Sequence, residues 1–426
     1  MSADTCDTQH RGHSLLPFST AIQQLVAAAK PLSADAEAIP LAHALGSVLA
    51  EPIMMTRAEP PTRRSAMDGW AVCSCDGSND RKVCGAVYAG TSVIPSVGAG
   101  ETVAVMTGGV VPDGADTVIP VEHTERKGDV VSFSQEPQAG RHVRQLGEMG
   151  DAGRVLLEAG RVLSSADLSA AAGCGADPVF VAARPRVIVM STGDEVVPWA
   201  TEPEPHQVRD SNRLGSIAQL IAAGADVIDH LHVPDDPEAL RAAVESALGR
   251  ADLLVTIGGV SMGDKDHLPS TFEACGVAKL FHGVSVQPGK PVWAGHLGEK
   301  FVLGLPGNPV SSFVMLETLA VPLLQRMMGG QAQMRPYQAG ILGAPARAKK
   351  RERFLPADLK INSLGQLVIT PRPEQGSGDW TSLAGADALL HVSAGLTLAA
   401  GEMAECLTIS GATHLGVSGE VPNESV

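Results

Sequence analysis

The chain has 426 residues, of which 44% are hydrophobic and 19% charged, and 32 basic against 47 acidic residues give a formal net charge of −15. This length predicts two to four domains, and the composition argues against a largely disordered or collagen-like chain. The negative field should repel a phosphate backbone, so we do not expect nucleic acid as a partner.

The first 13 residues are polar, and no stretch approaches the roughly 18 apolar residues that span a bilayer. Seven scattered cysteines favour a reduced compartment, and we expect a cytoplasmic protein without membrane contact. Cys73, Cys75 and Cys84 form the one cluster. Because C-x-C supplies neither the usual spacing nor a fourth ligand, three ordinary thiols are favoured over a zinc site.

After the polar leader, Ile22, Leu25, Val26 and Ala29 share one face of a predicted helix, with Ser19 as its cap. From residue 51 to 141 the chain changes to short β-rich runs separated by glycines and prolines, which predicts an all-β insertion. The clearest of these runs are residues 83–88, 101–106, 117–121 and 130–134.

From residue 184 onward, strands and helices alternate, which predicts a doubly wound, mostly parallel α/β sheet. The predicted strands are 187–190, 227–233, 252–257 and 301–305, and the predicted helices are 211–223, one opened by Asp235 or Asp236, and 310–328. Leu214, Ile217, Ala218 and Ile221 are the expected apolar face of the first of these helices. Short strands at 367–370, 389–392 and 405–409 then predict a small C-terminal β domain.

Ligands of an open parallel sheet bind beyond the carboxyl ends of its strands, so the loops after the strands are the candidate site. Asp194 and Glu195 follow the first strand and could hold a hydrated magnesium ion, or this loop could provide a helix cap with a solvated acid. Asp210 or Ser211 is expected to cap the next helix.

A glycine-rich loop follows the strand at 252–257. Its small residues, Gly258 and Gly259 among them, let backbone amides approach an anion, Ser261 can donate a hydrogen bond, and Asp264 and Asp266 can bind a cation.

Two proline-containing loops complete the candidate site. Residues 304–309, with Pro306 and Pro309, form a rigid loop that can press against a flat ligand. Lys290 lies in a Pro-Gly-Lys-Pro turn, as a partner for an oxyanion or as an ordinary exposed lysine. The sequence contains neither common nucleotide-binding glycine motif, and spacing indicates no catalytic triad.

Short sequence motifs along almost the whole chain match those of a known family, both in their residues and in their order along the chain. They are residues 39–51, 65–71, 106–109, 112–116, 191–195, 210–213, 258–263 and 304–309. In these motifs the chain resembles the molybdopterin molybdenumtransferases, a family that includes the C-terminal domain of gephyrin.

The resemblance implies an elongated homodimer of four-domain subunits, in which the β insertion interrupts the N-terminal domain. The implied divisions are a leader at 1–13, a discontinuous N-terminal domain at 14–56 and 142–183, the β insertion domain at 57–141, the α/β molybdopterin-binding domain at 184–330, the C-terminal β domain at 331–416 and a tail at 417–426.

The resemblance also implies a reaction. Adenylylated molybdopterin loses AMP while molybdate is ligated to its dithiolene sulfurs, with Mg²⁺ at the phosphates. Tungstate is an equally good oxyanion by size and charge. Two alternatives remain at this point: adenylylation of molybdopterin, and a non-catalytic paralogue that binds a pterin or serves as a scaffold.

Carried over by motif, the resemblance assigns roles to particular residues. Glu195, Asp210 and Asp266 resemble the acids around metal, phosphates and molybdate, with Asp194 and Asp264 beside them as metal ligands. The pterin and nucleotide cradle comprises Gly258, Gly259, Ser261, Lys290, Pro306 and Pro309. Asp68 and Thr107 resemble residues that complete the cleft across the dimer, and Arg353 and Ser377 are further candidate contacts.

The chain departs from the family pattern at four positions. Gln287 and Gly283 stand where many members have lysines, Ile257 where serine is usual, and Met149 where aspartate is usual. Each charge-assisted contact to an oxyanion is worth about 1.5–3 kcal/mol, so two missing cations would weaken binding unless others compensate. Lys265, Lys290 and His282 are the candidates for compensation.

Overall fold

The computed structural model describes residues 15–32, 36–261, 266–330 and 336–409. The leader and the tail predicted from the sequence lie outside these ranges. None of the helices within them has the length and apolar character needed to span a bilayer.

The first half of the chain is mostly short strands. In order, it contains α1 (Phe18–Ala28), β1 (Glu37–Ile39), β2 (Ile53–Met54), β3 (Arg64–Ser65), β4 (Gly69–Val72), β5 (Asp80–Val87), β6 (Glu101–Val105), β7 (Thr117–Pro120), β8 (Thr124–Lys127), β9 (Val130–Phe133), β10 (Val143–Arg144), β11 (Val155–Leu157), α2 (Ser165–Cys174) and β12 (Val179–Val181).

Strands and helices alternate in the next part. They are β13 (Arg186–Thr192), β14 (Val196–Val197), β15 (Val208–Arg209), α3 (Ser211–Ala222), β16 (Asp226–Val233), α4 (Pro237–Arg250), β17 (Leu253–Ile257), α5 (Leu268–Ala274), β18 (Ala278–His282), β19 (Val286–Gln287), β20 (Trp293–Leu297), β21 (Lys300–Leu305), α6 (Pro309–Met315) and α7 (Val321–Met327). A π-helical turn, Leu316–Ala320, joins α6 to α7.

The last part returns to strands. They are β22 (Gln338–Leu342), β23 (Ala346–Arg347), β24 (Glu352–Ile361), β25 (Leu367–Pro371), β26 (Ala388–Val392), β27 (Thr397–Leu398) and β28 (Met403–Thr408). Short 3₁₀ turns occur at Leu41–His43, Val121–His123 and Trp380–Leu383.

Helix α1 buries the predicted apolar face, including Ile22 and Leu25, against the central core. The prediction that Ser19 caps it is wrong. The helix begins at Phe18, Pro17 occupies the N-cap position without a side-chain hydrogen bond, and Ser19 lies inside the first turn. Proline restricts φ at this position but has no side-chain acceptor, so α1 begins without a side-chain cap.

Residues on both sides of the β insertion pack together. β1 pairs with β12 and β2 with β11, both antiparallel. One hydrophobic cluster joins Leu49 and Ile53 to Leu163 and Val179. The insertion therefore interrupts a unit whose two halves share a core, while the exact domain boundaries stay predictions.

Helix α2 in this unit begins with a reciprocal capping arrangement. The Ser164 side chain accepts a hydrogen bond from the Asp167 backbone amide, and the Ser164 amide and hydroxyl donate to the Asp167 carboxylate at 2.9 and 2.6 Å. These bonds, helped by Arg161, lower the pKa of Asp167 from 3.8 to about 2. The ionised carboxylate therefore stabilises the folded state.

Because its folded-state pKa is depressed, Asp167 stabilises the fold fully above its unfolded pKa and loses this effect as the pH falls through the folded value. We expect the wild type to be more stable than Asp167→Asn near pH 6, and the difference to shrink as the pH is lowered towards about pH 3. Urea unfolding of both proteins over this pH range measures the difference in their free energies of unfolding. A difference that stays constant with pH would contradict the assignment.

The insertion forms a six-stranded sheet in the order β7-β4-β6-β5-β9-β8. The four predicted runs correspond to β5, β6, β7 and β9, each within three residues at either end. The expectation of three ordinary thiols is wrong, because Cys73 and Cys75 form a disulfide while Cys84 is free. The turn that carries them is fixed by the buried side chain of Arg81, which donates to the Cys73 carbonyl and pairs with Asp76 at 3.1 Å.

The central sheet has the order β16-β13-β17-β21-β20-β18. Its first four strands are parallel to one another, and β20 is the strand that runs in the opposite direction, because it pairs antiparallel with both β21 and β18. Successive residues of β13 face opposite sides: Val187 and Val189 join the core formed with α1, α6 and α7, whereas Ile188 and Met190 join the core formed with α4 and α5. The predicted doubly wound, mostly parallel sheet is confirmed.

The predicted apolar face of α3 is wrong at three of its four residues, because Leu214, Ala218 and Ile221 are exposed and only Ile217 packs against the core. Leu214 is 49% exposed and Ile221 is 55% exposed, whereas Arg213 and Gln219 are buried. Gln219 points inward because its amide donates to the Glu317 carboxylate in the π turn at 2.9 Å. This polar contact lies on the same buried side of α3 as Leu220, while Leu214 and Ile221 face outward.

The C-terminal strands close into a barrel, because β24 pairs with both β25 and β26 while β22 and β28 complete the ring. β19 precedes β20 in the chain but pairs with β24 rather than with the central sheet. Val286 and Gln287 lie opposite Glu352 and Arg353 in this pairing. The barrel is thereby attached beside the loops that follow the central strands.

Candidate active site

The carboxyl ends of β13, β17 and β21 border a cleft of about 1030 Å³. The loops after these strands, the start of α3 and one segment of the C-terminal part line it. Its residues include Ser191, Thr192, Glu195, Trp199, Asp210, Asn212, Asp235, Gly258, Gly259, Ser261, Asp266, Pro306, Pro309 and Trp380. The loops singled out from the sequence therefore do meet at one edge of the sheet.

Asp210 holds the floor of the cleft together. It is 4% exposed and accepts hydrogen bonds from the Ser191 hydroxyl at 2.7 Å and from the Arg213 backbone amide at 3.1 Å, which caps α3. Its carboxylate also lies 3.0 Å from Arg213 Nε. Ser191 in turn contacts His232 Nδ1 at 3.1 Å. Asp210 is thus both the predicted cap and a buried counter-ion.

The carboxylate of Glu195 lies over Gly193. A Cβ atom at Gly193 would be 2.8 Å from Glu195 Oε2, and the φ of Gly193 is +127°, so the loop requires glycine at this position. Asp194 is exposed and accepts a hydrogen bond from the Asp235 amide at 3.3 Å, and it does not line the cleft.

Asp235 is a site residue that sequence reasoning missed. Asp236 caps α4 through a hydrogen bond from the Ala239 amide, which leaves Asp235 to line the cleft. The Thr192 hydroxyl donates a hydrogen bond to the Asp235 carboxylate. The sequence signal that could have identified Asp235 was the pair of aspartates before Pro237. Only one of two neighbouring acids can cap a helix, so the other is free for a different role.

The glycine-rich loop turns sharply at two positive φ angles, +93° at Gly258 and +63° at Gly259. A Cβ atom at Gly258 would lie 3.1 Å from the Thr192 carbonyl oxygen, so the backbone approaches β13 closely. Ser261 and Asp266 line the cleft on either side of residues 262–265, which lie outside the described residues. The predicted metal ligand Asp264 and the candidate cation Lys265 fall in that gap.

Within the described ranges, no group of three or more His, Cys, Asp or Glu side chains is placed to share a metal ion. The carboxylates of Glu195, Asp210, Asp235 and Asp266 nevertheless line one cleft. Asp266 is not a free acid in the structure, because it also interacts with another group of the protein.

A second cavity of about 250 Å³ adjoins the cleft and shares Pro291, Pro306 and Asn308 with it. Lys290 and Arg351 are the basic side chains among its described lining residues, and neither forms an ion pair within the described part of the chain. The Ser377 hydroxyl accepts a hydrogen bond from the Asn308 side-chain amide at 3.1 Å, which places it at the same wall.

The arginine that lines this cavity is Arg351 and not Arg353, the candidate contact named from the resemblance. Arg353 is not among its lining residues; its guanidinium pairs at 2.6 Å with Glu374, which does line the cavity, and donates to the Arg347 carbonyl. Arg351 lines it instead, anchored by a hydrogen bond to the Val286 carbonyl at 3.2 Å. The two arginines are separated by one residue of β24, and the sequence alone does not say which side faces the cavity.

Asp68 and Thr107 meet each other but not the cleft of the same chain. Asp68 Oδ1 accepts hydrogen bonds from the Thr107 amide at 2.6 Å and from its hydroxyl at 2.7 Å. These bonds lower the pKa of Asp68, which therefore remains ionised near neutral pH. Both residues are exposed and absent from the cleft lining.

The departures from the family pattern fall at different places. Gln287 lines the second cavity, and Ile257 lines the cleft at the end of β17. Gly283 has a φ of +89°, which a lysine would adopt only under strain. Met149 is exposed. His282 contacts the Val260 carbonyl through Nε2 at 3.0 Å and lines neither cavity, so it does not replace a missing cation there.

Three family models match the chain in succession. They are the MoeA N-terminal region (domain I and II) over residues 16–175, the probable molybdopterin binding domain over residues 188–326, and the MoeA C-terminal region (domain IV) over residues 339–409.

Curated relatives match over most of their length. A molybdopterin molybdenumtransferase of Synechocystis is 31% identical, with 82% of this chain and 88% of the relative covered. Molybdopterin molybdenumtransferase 2 of Mycobacterium tuberculosis is 30% identical, with 87% and 93% covered.

Solved structures agree with these matches. Two structures of molybdopterin biosynthesis MoeA proteins from Pyrococcus horikoshii superpose with TM-scores of 0.76 and 0.79 at 30% and 25% identity, covering 93% and 92% of this chain and 100% and 99% of theirs. Since a 30% identical relationship extends over most of both chains, the chain belongs to the molybdopterin molybdenumtransferase family.

Proposed function

We propose that the protein inserts molybdate into the dithiolene of adenylylated molybdopterin and releases AMP. The observation that carries this proposal is the junction of two cavities: a cleft with carboxylates and glycine amides opens beside a smaller cavity with unpaired cations. The cleft suits a phosphate-bearing pterin with its metal ion, and the cationic cavity suits a free oxyanion. The curated relatives carry the name of this activity.

The donor set fits magnesium. Mg²⁺ prefers carboxylate oxygens and is usually held by one or two of them together with substrate phosphates and water, so a cluster of three acids is not required. Glu195 and Asp266, which both line the cleft, would hold the ion. When bound, it would neutralise charge on the phosphates as the bond to AMP breaks.

The other residues of the cleft have positioning roles. Gly258 and Gly259 bring backbone amides to the ligand without side chains in the way, and Ser261 adds a hydroxyl at the edge. Pro306 and Pro309 keep the opposite wall rigid. Asp210 fixes Ser191 and the start of α3, so it shapes this site from beneath.

The second cavity is the proposed oxyanion site. Lys290 and Arg351 would offset the two negative charges of molybdate, and Arg351 is held in place from behind by the Val286 carbonyl. The Ser377 hydroxyl can donate to a third oxygen. Tungstate is a tetrahedral dianion of similar size, so we propose it as an alternative substrate rather than as a discriminated one.

We further propose a cytoplasmic homodimer in which Asp68 and Thr107 of the partner subunit complete the cleft. The exposed side chain of Ile221 on α3, which lies outside the cleft, is compatible with such an interface, because exposed apolar residues are common where protein chains meet. The ionised Asp68 carboxylate, held by Thr107, would add a further acid to the metal and phosphate region.

The test is AMP release from adenylylated molybdopterin by the purified full-length protein. We expect AMP release that requires both magnesium and an oxyanion, with molybdate and tungstate compared in parallel. A protein that binds the substrate tightly and releases no AMP under any of these conditions would contradict the proposal. Product that carries no metal at its dithiolene would contradict insertion specifically.

Gln287→Lys would add a third cation to the oxyanion cavity. We expect the KM for molybdate to fall by about tenfold or more, since a charge-assisted hydrogen bond is worth about 1.5–3 kcal/mol. Steady-state AMP release at varied molybdate concentrations measures this change. Unchanged or weaker molybdate dependence would place the oxyanion elsewhere.

Gly283→Lys is the contrasting variant. It restores the other lysine of the family pattern, but a side chain at a φ of +89° is strained, and its Cβ would lie 3.1 Å from Leu15 Cδ2. We expect this variant to lose about 1–2 kcal/mol of unfolding free energy, without the gain in molybdate affinity.

A further inference from the structure

Two of the four tryptophans lie exposed in the cleft. Trp199 is 43% exposed and Trp380 is 60% exposed, and both line it. The other two, Trp70 and Trp293, are buried in sheet cores. In a chain in which aromatic residues amount to only 3%, this placement of two large indole rings in one cleft needs a ligand or a partner to explain it.

Trp199 is held with one ring face covered. It lies between β14 and β15, and the Arg213 guanidinium carbon stands over its ring, 5.6 Å from the centroid. Arg213 is itself fixed by Asp210 at 3.0 Å and is 8% exposed. A buried ion pair therefore backs one face of the indole, and the exposed fraction of the ring is left for the cleft.

Trp380 is held by a hydrogen-bonded turn. It opens the 3₁₀ turn Trp380–Leu383, its amide donates to the Gly378 carbonyl at 3.0 Å, and Asp379 caps the turn by accepting from the Thr381 amide. The ring lines both the cleft and a neighbouring cavity of about 260 Å³ beside the starts of α3 and α6. The turn fixes the backbone of this residue on the C-terminal side of the cleft.

We propose that Trp199 and Trp380 are stacking surfaces for the two flat ring systems of the substrate, the pterin and the adenine. This inference rests on the proposed function. Aromatic rings stack on heterocycles of either kind because each presents a π-face. The polar residues of the cleft cannot provide such a surface, and its volume of about 1030 Å³ accommodates a ligand with two ring systems.

A competing explanation is that another protein chain covers the two rings, since tryptophans are also common at interfaces. Both rings lie in a concave site whose glycine amides, hydroxyl and carboxylates suit a phosphate group with its metal ion. This position favours a small heterocyclic ligand over a protein partner. The two explanations differ in whether solvent reaches the rings in the protein without ligand.

The test measures binding without turnover. AMP and pterin-6-carboxylate are titrated into the full-length protein, with calorimetry for Kd and tryptophan emission for ring contact. Ribose 5-phosphate is the matched control ligand because it lacks a heterocycle. Trp199→Ala and Trp380→Ala are compared with Trp199→Phe and Trp380→Phe, which retain an aromatic face.

We expect both heterocycles to quench the wild-type emission. Each alanine variant should weaken binding of at least one of them by about 5-fold to about 150-fold. The phenylalanine variants should lose less, and the Kd of ribose 5-phosphate should not change. Circular dichroism of each variant confirms that it is folded.

Three results would overturn the proposal. The first two are an unchanged Kd for both heterocycles in both alanine variants, and an alanine variant that weakens binding of ribose 5-phosphate as much as binding of the heterocycles. The third is wild-type tryptophan emission that acrylamide cannot quench in the absence of ligand. Failure of the proposed function has a different outcome. A wild type that stacks AMP and the pterin on these rings but releases no AMP from substrate contradicts the insertion activity and leaves the stacking surfaces in place.

Discussion

Asp210→Ala is expected to lower the free energy of unfolding by about 3–5 kcal/mol, because it leaves the buried Arg213 cation without its counter-ion. The same change removes the cap of α3 and the acceptor of the Ser191 hydroxyl. Both of these losses also destabilise the folded state. Urea unfolding followed by circular dichroism measures the loss, and AMP release should fall with it because Ser191 and α3 line the cleft.

Asp236→Ala is the matched control. Asp236 caps α4 through the same kind of hydrogen bond, from the Ala239 amide at 2.9 Å, but it is exposed and has no buried partner. Loss of a cap alone costs about 0.5–2 kcal/mol. Equal destabilisation by the two variants would show that the Asp210–Arg213 pair contributes nothing beyond capping.

Much of the central domain could be predicted because its local signals agree. The strands β13, β17 and β21 are apolar runs buried on both faces, and their loops carry glycines that only sharp turns require. In a parallel sheet, strand direction alone brings those loops to one edge. Fold class and the location of the cleft therefore followed from sequence pattern.

The errors arise where long-range pairing decides the outcome. Arg351 faces the second cavity because β19 pairs with β24 in a register that joins residues far apart in the chain. No local pattern encodes that register. Likewise, Gln219 lies on the buried side of α3, where it contacts Glu317, 98 residues further along the chain.

Periodicity also cannot say what covers an apolar face. The spacing of Leu214 and Ile221 identified a real stripe on α3, but the stripe is exposed in the single chain. A stripe of this kind is indistinguishable in sequence from a core-facing one, since burial by a second subunit follows the same 3.6-residue period. The prediction identified apolar positions on α3 but was wrong about their burial, and Leu214 lines the cleft instead of a core.

Glu195→Gln is expected to reduce kcat for AMP release by about 100-fold or more, since the change removes the negative charge proposed to hold magnesium at the phosphates. The shape of the side chain is kept, and its place over Gly193 need not change. Because Glu195 is exposed, we expect the free energy of unfolding to stay within about 0.5 kcal/mol of the wild type. AMP release at varied magnesium concentrations, with unfolding measured alongside, tests both expectations.

Glu204→Gln is the matched control for this variant, because Glu204 lies a few residues further along the chain, contacts His206 Nδ1 at 3.5 Å on the surface and does not line the cleft. It should retain wild-type kcat and the same magnesium dependence. A Glu195→Gln protein within about threefold of wild-type kcat and with an unchanged magnesium requirement would remove Glu195 from the metal site. A higher magnesium requirement with kcat restored at saturation would instead show that the carboxylate contributes to metal affinity and not to the chemical step.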